Sequence, residues 1–167
     1  MTYPSRDTQD NSSTASSAIH WGTAPTSKTR NTIQRSVTAL LDALAPERVV
    51  KRTEDPPAAI EQHRTPSGCV LQAAQCAVSV SWFPAGAGEE TQLGELHILV
   101  WSGKVARRGV PQSLKKPTLL SELVLRPIEP PVDDFIWRAT EGARFNTPTL
   151  AAQVRSLLDT EIQNTTI

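Results

Sequence analysis

The clearest pattern in the chain is a near-continuous apolar run over residues 93–101. Side chains along a β-strand point alternately to the two faces of a sheet, so Leu96, Ile98 and Val100 would share one face. The other face would carry a mixed set of side chains: Glu95, His97, Leu99 and Trp101. One apolar face and one mixed face are typical of a central antiparallel strand whose core covers one side only. The rest of the fold is expected to form around this strand.

A second strand is predicted for residues 76–82, where large and small side chains alternate. The residues expected to face inward are Cys76, Val78, Val80 and Trp82, with Ala77, Ser79 and Ser81 outward. Residues 84–90 contain proline, two glycines and two glutamates, which is typical of a loop. This loop is expected to join the two strands as a hairpin.

Two segments have a helical period instead. Their apolar stripes consist of Ile33, Val37, Leu40, Leu41 and Leu44 in residues 27–45, and of Leu150, Val154, Leu157, Leu158 and Ile162 near the carboxyl end. Ser27 is the expected N-cap of the first helix, which Pro46 would end. Thr147 is the expected N-cap of the second, with Pro148 at the first helical position.

Three further strands are predicted at residues 48–53, 119–125 and 134–140, with a polar connection over residues 54–67. Because the strands are grouped between two helices, the pattern predicts an α+β fold. The expected architecture is an antiparallel sheet of about five strands with an N-terminal and a C-terminal helix packed on one face. The face that carries Glu95, His97 and Trp101 would then stay partly open.

The amino-terminal residues 1–26 are rich in serine, threonine and asparagine, a composition typical of a flexible arm. Residues 27–167 would form a single domain. Within the arm, Ile19 and Trp21 are the kind of residues that anchor a flexible segment on a partner. The alternative is that Trp21 folds back onto its own domain.

The charge balance and composition bear on what the protein can bind and on where in the cell it is expected. The chain has 17 basic and 17 acidic residues, so its net charge gives no general attraction to nucleic acid or to anionic membranes. We expect no membrane span and no secretion signal, because the chain lacks a long apolar run and its amino terminus is polar. Two cysteines fit a reducing compartment, so a cytoplasmic location is predicted.

The strongest local charge asymmetry is a basic loop over residues 104–116. It contains no acidic residue, and its cations are Lys104, Arg107, Arg108, Lys115 and Lys116. Such a loop is either simply well solvated or binds an acidic surface. An acidic protein patch is the favoured partner over nucleic acid, because the loop has no aromatic side chain to stack on bases.

No set of residues has the spacing of a metal or catalytic site. The histidines and cysteines match no zinc pattern, and Ser113 with Lys116 matches a serine–lysine spacing without its companion motifs. We therefore predict no catalytic residues, no metal and no cofactor. Cys76 is expected on the apolar face, away from His97.

The sequence thus favours a non-enzymatic protein–protein interaction module, or an accessory subunit of a larger assembly. It would use the arm, through Ile19 and Trp21, and the basic loop. The alternative is a small-ligand-binding or catalytic domain that uses the mixed face around Glu95, His97 and Trp101. A nucleic-acid-associated protein that uses the basic loop is the third possibility. The oligomeric state stays open.

Overall fold

The computed structural model describes residues 25–45, 59–86, 93–105, 116–128 and 136–165. These residues form two helices and seven strands, in the order α1 (Ser27–Ala43), β1 (Glu61–Thr65), β2 (Gly68–Gln72), β3 (Cys76–Pro84), β4 (Gly94–Ser102), β5 (Thr118–Pro127), β6 (Ile136–Ala139), β7 (Arg144–Asn146) and α2 (Thr147–Thr165). The strands form one antiparallel sheet in which each pairs with the next along the chain. The α+β class is confirmed. The described sheet has seven strands, however, rather than about five.

Strands β3 and β4 form the centre of the sheet. Their register extends from Cys76 opposite Ser102 to Pro84 opposite Gly94, which confirms the predicted hairpin. Gly94 has a positive φ of 114°, and a Cβ there would lie 2.5 Å from the carbonyl oxygen of Phe83. Only glycine fits this position without strain, so Gly94 fixes how closely the two strands approach at this end.

Both helices contribute to one core with the apolar face of the sheet. The buried side chains include Val37, Leu40, Leu150, Val154 and Leu158 from the helices, and Val78, Val80, Leu96, Ile98, Val100, Leu125 and Trp137 from the strands. Trp137 packs edge-on against Trp82, with ring centroids 5.7 Å apart. Arg155 of α2 donates to the carbonyl oxygens of Ala43 and Ala45, which ties the second helix to the end of the first.

Both predicted N-caps are wrong by one residue. The hydroxyl of Thr26 accepts a hydrogen bond from the amide of Thr29 at 3.2 Å, so Thr26 caps α1 and Ser27 is its first residue. At α2, the side-chain oxygen of Asn146 accepts from the amide of Thr149 at 2.9 Å. In each case the cap is the polar residue that precedes the predicted one. Its side chain accepts from the amide three positions ahead, as an N-cap side chain does.

Three strands were not predicted. β1 lies inside the expected polar connection, and its side chains are held by α1: Gln62 donates to the carbonyl of Leu41, and Arg64 forms an ion pair with Asp42. β2 precedes the predicted strand β3 and is separated from it by a turn, and β7 is only three residues long. The strand expected at residues 48–53 lies outside the described residues.

The two-layer core leads to a stability prediction. Ile98 is completely buried, so Ile98→Ala should lower the free energy of unfolding by about 2–5 kcal/mol, through lost burial and the cavity left behind. Chemical denaturation would measure the change. As a control, Leu119→Ala at a 46% exposed position should cost less than about 1 kcal/mol. A small effect at Ile98 would mean that the faces of β4 are assigned the wrong way round.

Candidate functional site

The side of the sheet that faces away from the helices is called the open face here. In β4 it carries Glu95, His97, Leu99 and Trp101, as the alternation predicts. These four side chains are partly exposed, whereas Leu96, Ile98 and Val100 on the other side are buried. The open face is therefore a surface on which polar, charged and aromatic groups lie together.

A network of charged groups crosses the centre of the open face. The His97 ring lies between two carboxylates, with its Nε2 3.2 Å from Glu95 Oε2 and its Nδ1 3.1 Å from Glu122 Oε1. Glu95 Oε1 also accepts two hydrogen bonds from Arg126, at 2.8 Å from Nε and at 2.5 Å from Nη2. The network links β4 to β5 on both sides of the histidine.

The hydrogen bonds from Arg126, and secondarily the one from His97, lower the pKa of the Glu95 carboxyl. The ionised form is stabilised because both partners donate to it. Glu95 is thus a fixed negative charge that neutralises Arg126.

Both nitrogens of the His97 ring are within hydrogen-bond distance of carboxylates, which leaves neither free to act on a substrate. Its remaining contact is edge-on with the ring of Phe83, at a centroid distance of 5.0 Å. Phe83 is 55% exposed at the end of β3. This geometry suits a structural cross-strand clamp better than a general base.

Trp101, at the other end of β4, is held in place by its indole nitrogen, which donates to the hydroxyl of Ser79 at 2.9 Å. Leu119 lies directly opposite Trp101 on β5, and the register shifts beside this pair, so Leu120 is an extra residue in the strand. Such a β-bulge redirects side chains at the edge of regular pairing. Leu119 and Leu120 are 46% and 47% exposed. Trp101, Leu119 and Leu120 together are called the apolar corner.

The two described lysines of the basic loop flank the apolar corner in the chain. Lys104 and Lys116 are both exposed, and the segments that bear them follow Trp101 and precede Leu119. The amide of Val105 donates to the Gln72 side chain at 3.0 Å, which anchors this end of the loop to β2. The other predicted partner-binding residues, Ile19, Trp21, Arg107, Arg108 and Lys115, lie outside the described residues.

A second cationic feature has no local sequence pattern from which it could be predicted. The register places Arg126 opposite Arg138, and Arg138 opposite Arg144, so three exposed arginines cross strands β5, β6 and β7 in one row. We call these three residues the arginine row. They are 12 and 6 residues apart in the chain, so only strand pairing brings them together.

Other chemistry is limited in the described part of the chain. Cys69 and Cys76 are buried free thiols on the core side, and burial is the main cause that raises the pKa of each. A reactive cysteine needs a lowered pKa and access, so neither fits a nucleophile. No group of three histidine, cysteine, aspartate or glutamate side chains within the described ranges could hold a metal ion. Neither described helix has the length and apolarity to cross a membrane.

In comparisons of the chain with protein-family models, curated proteins and solved structures, nothing matches.

The charged network leads to a pH prediction. Because folding lowers the pKa of Glu95, its contribution to stability is present above the ordinary glutamate pKa of about 4.3 and is lost as the pH falls through the lower folded value. The difference in unfolding free energy between the wild type and Glu95→Gln should therefore shrink as the pH drops below that range. Urea denaturation between pH 7 and pH 3 would measure it.

Glu141→Gln is the matched control, because Glu141 is exposed in the turn between β6 and β7, away from the network. The difference in unfolding free energy between this variant and the wild type should stay nearly constant between pH 7 and pH 3. A Glu95→Gln difference that does not vary with pH would show that the ion pairs of Glu95 contribute nothing in solution.

Proposed function

We propose that this protein is a non-enzymatic interaction module, or accessory subunit, that binds another protein through the open face of its sheet. The observation that supports the proposal most directly is the apolar corner. Leu119 and Leu120 are two of the three large apolar side chains exposed in the described residues, and they are adjacent. Clustered exposed apolar groups beside polar ones are typical of protein interfaces.

The apolar corner is also preorganised. The hydrogen bond from Trp101 to Ser79 fixes the orientation of the indole before any partner arrives. A tryptophan that is already held loses little conformational freedom on binding, and tryptophan is enriched among residues that dominate binding energy. Trp101 is therefore the anchor that we assign to this surface.

The lysines beside the corner favour an acidic rim on the partner. Lys104 and Lys116 are exposed at the two ends of the basic loop, at the same end of the sheet as Trp101 and Leu119. Charges at the rim of an interface mainly speed and orient association. The arm residues Ile19 and Trp21, and the loop residues Arg107, Arg108 and Lys115, remain part of the proposal as further contacts.

The alternative, a ligand-binding or catalytic domain around His97, is supported by the two carboxylates that hold the ring. The same contacts weaken it, because they occupy both ring nitrogens. A nucleic-acid-associated function through the basic loop is favoured less, since the loop has no aromatic side chain to stack on bases.

The proposal predicts that the apolar corner is required for partner binding. The variant Leu119→Ser/Leu120→Ser should lose a protein that the wild type retains in an affinity pull-down from its own cell extract after nuclease treatment. The reason is that both leucines are exposed, so their loss removes contact area without opening the core. Circular dichroism melting would show that the variant is folded.

A control variant changes two adjacent exposed positions on α2, Ala152→Ser/Gln153→Ser, which lie on the other side of the sheet. It should retain the same partner as the wild type. Retention by the leucine variant, or the absence of any retained protein with the wild type, would contradict the proposal.

The predicted role of the arm can be tested separately. Deletion of residues 1–24 should leave the melting temperature nearly unchanged, because a segment so rich in serine, threonine and asparagine has few side chains to bury. It should also weaken retention of the partner, through the loss of Ile19 and Trp21. A marked fall in melting temperature would mean that the arm is part of the folded domain.

A further inference from the structure

The arginine row lies at the end of the open face opposite the apolar corner. Its first member, Arg126, donates hydrogen bonds to Glu95 on β4, and Glu95 lies opposite Phe83 on β3. An aromatic ring, a carboxylate and three guanidinium groups thus follow one another across five strands. All three arginines are exposed. The row is therefore a continuous feature of the sheet surface.

The charges of the arginine row are only partly balanced. Glu95 neutralises Arg126. Arg138 and Arg144 lie directly opposite each other, and within the described residues neither forms an ion pair. Like charges at directly opposed positions destabilise an antiparallel pair. A bound anion would relieve this repulsion.

The strands that carry these arginines are firmly held. Trp137, which precedes Arg138 on β6, is completely buried, and Phe145, opposite it on β7, packs against the same core. The turn from β6 to β7 is closed by the amide of Ala139, which donates to the carbonyl of Ala143 at 2.8 Å, and Gly142 supplies the positive φ of 99°. Arg138 and Arg144 therefore extend from a fixed backbone.

Glu95 shows how a carboxylate binds to this row. One of its oxygens accepts hydrogen bonds from both Nε and Nη2 of Arg126. Arg138 and Arg144 continue the row at the normal strand spacing of about 4.8 Å, so they can receive further carboxylates in the same way.

From this geometry we infer that the arginine row binds an acidic segment of a partner protein, with its aspartate or glutamate side chains on Arg138 and Arg144. The inference rests on the proposed function and names the chemistry of the partner. Two unbalanced guanidinium groups match two carboxylates in charge. The structure shows a carboxylate, that of Glu95, on the first arginine of the row, which favours carboxylates over phosphate groups on the other two.

The test uses the purified full chain and a capped hexaglutamate peptide at low salt. Titration should shift the NMR signals of the Nε–H groups of Arg138 and Arg144. In fluorescence anisotropy, Arg138→Gln/Arg144→Gln should weaken peptide binding by about tenfold, since two exposed ion pairs are lost and each is worth up to about a factor of five. This variant should melt no lower than the wild type, because it removes a repulsion.

The matched control is Arg30→Gln/Arg35→Gln, which makes the same charge change at exposed positions of α1. It should bind the peptide like the wild type. Equal loss in both variants would overturn the inference, because binding would then depend on total charge only. The inference would also be overturned if the Nε–H signals of Arg138 and Arg144 shifted with inorganic phosphate or a single-stranded oligonucleotide and did not shift with the peptide.

The two proposals fail in different ways. If the peptide does not bind but the leucine variant still loses its partner in the pull-down, the arginine row is not the acidic site and the interaction module stands. If the peptide binds at the arginine row but the wild type retains no protein, the anion site stands and the proposed function fails.

Discussion

The pairing of β3 with β4 is the constraint on which the rest of the structure depends. Nine opposed positions, from Cys76 and Ser102 to Pro84 and Gly94, fix which side chains share a face. A slip of one residue would turn Ile98 toward solvent and His97 into the core. The apolar side then requires the two helices, and the mixed side is left as the open face. The same register therefore determines both the core and the candidate binding surface.

Many elements could be predicted from sequence because their own residues specify them. Strand β4 alternates clearly between its faces, and the expected stripe of α1 is buried. In α2, Leu157 and Ile162 of the expected stripe are only partly buried, and the rest is buried. Strand β1 has the sequence Glu-Gln-His-Arg-Thr, which contains no apolar pattern. Its side chains Gln62 and Arg64 bind to α1 instead. β7 is too short for any period to show. These strands depend on tertiary contacts that a local pattern does not contain.

The candidate surfaces also differ in how far a local sequence pattern could predict them. Glu95, His97 and Trp101 could be placed on one face from a single strand, because their spacing is two residues or a multiple of two. The arginine row depends on the pairing of β5, β6 and β7, and the exposure of Leu120 follows a bulge. Neither can be predicted until the strand register is known.

The size of the open face favours a macromolecular partner for both of its ends. Glu95 and Trp101 are six residues apart on β4, which corresponds to about 20 Å along an extended strand. From β3 to β7 there are four strand spacings, or about 19 Å. A typical protein interface covers about 800 Å² on each partner, so one protein can contact the apolar corner and the arginine row together. A small ligand at His97 could not span both ends, and the exposed leucines of the apolar corner would remain unexplained.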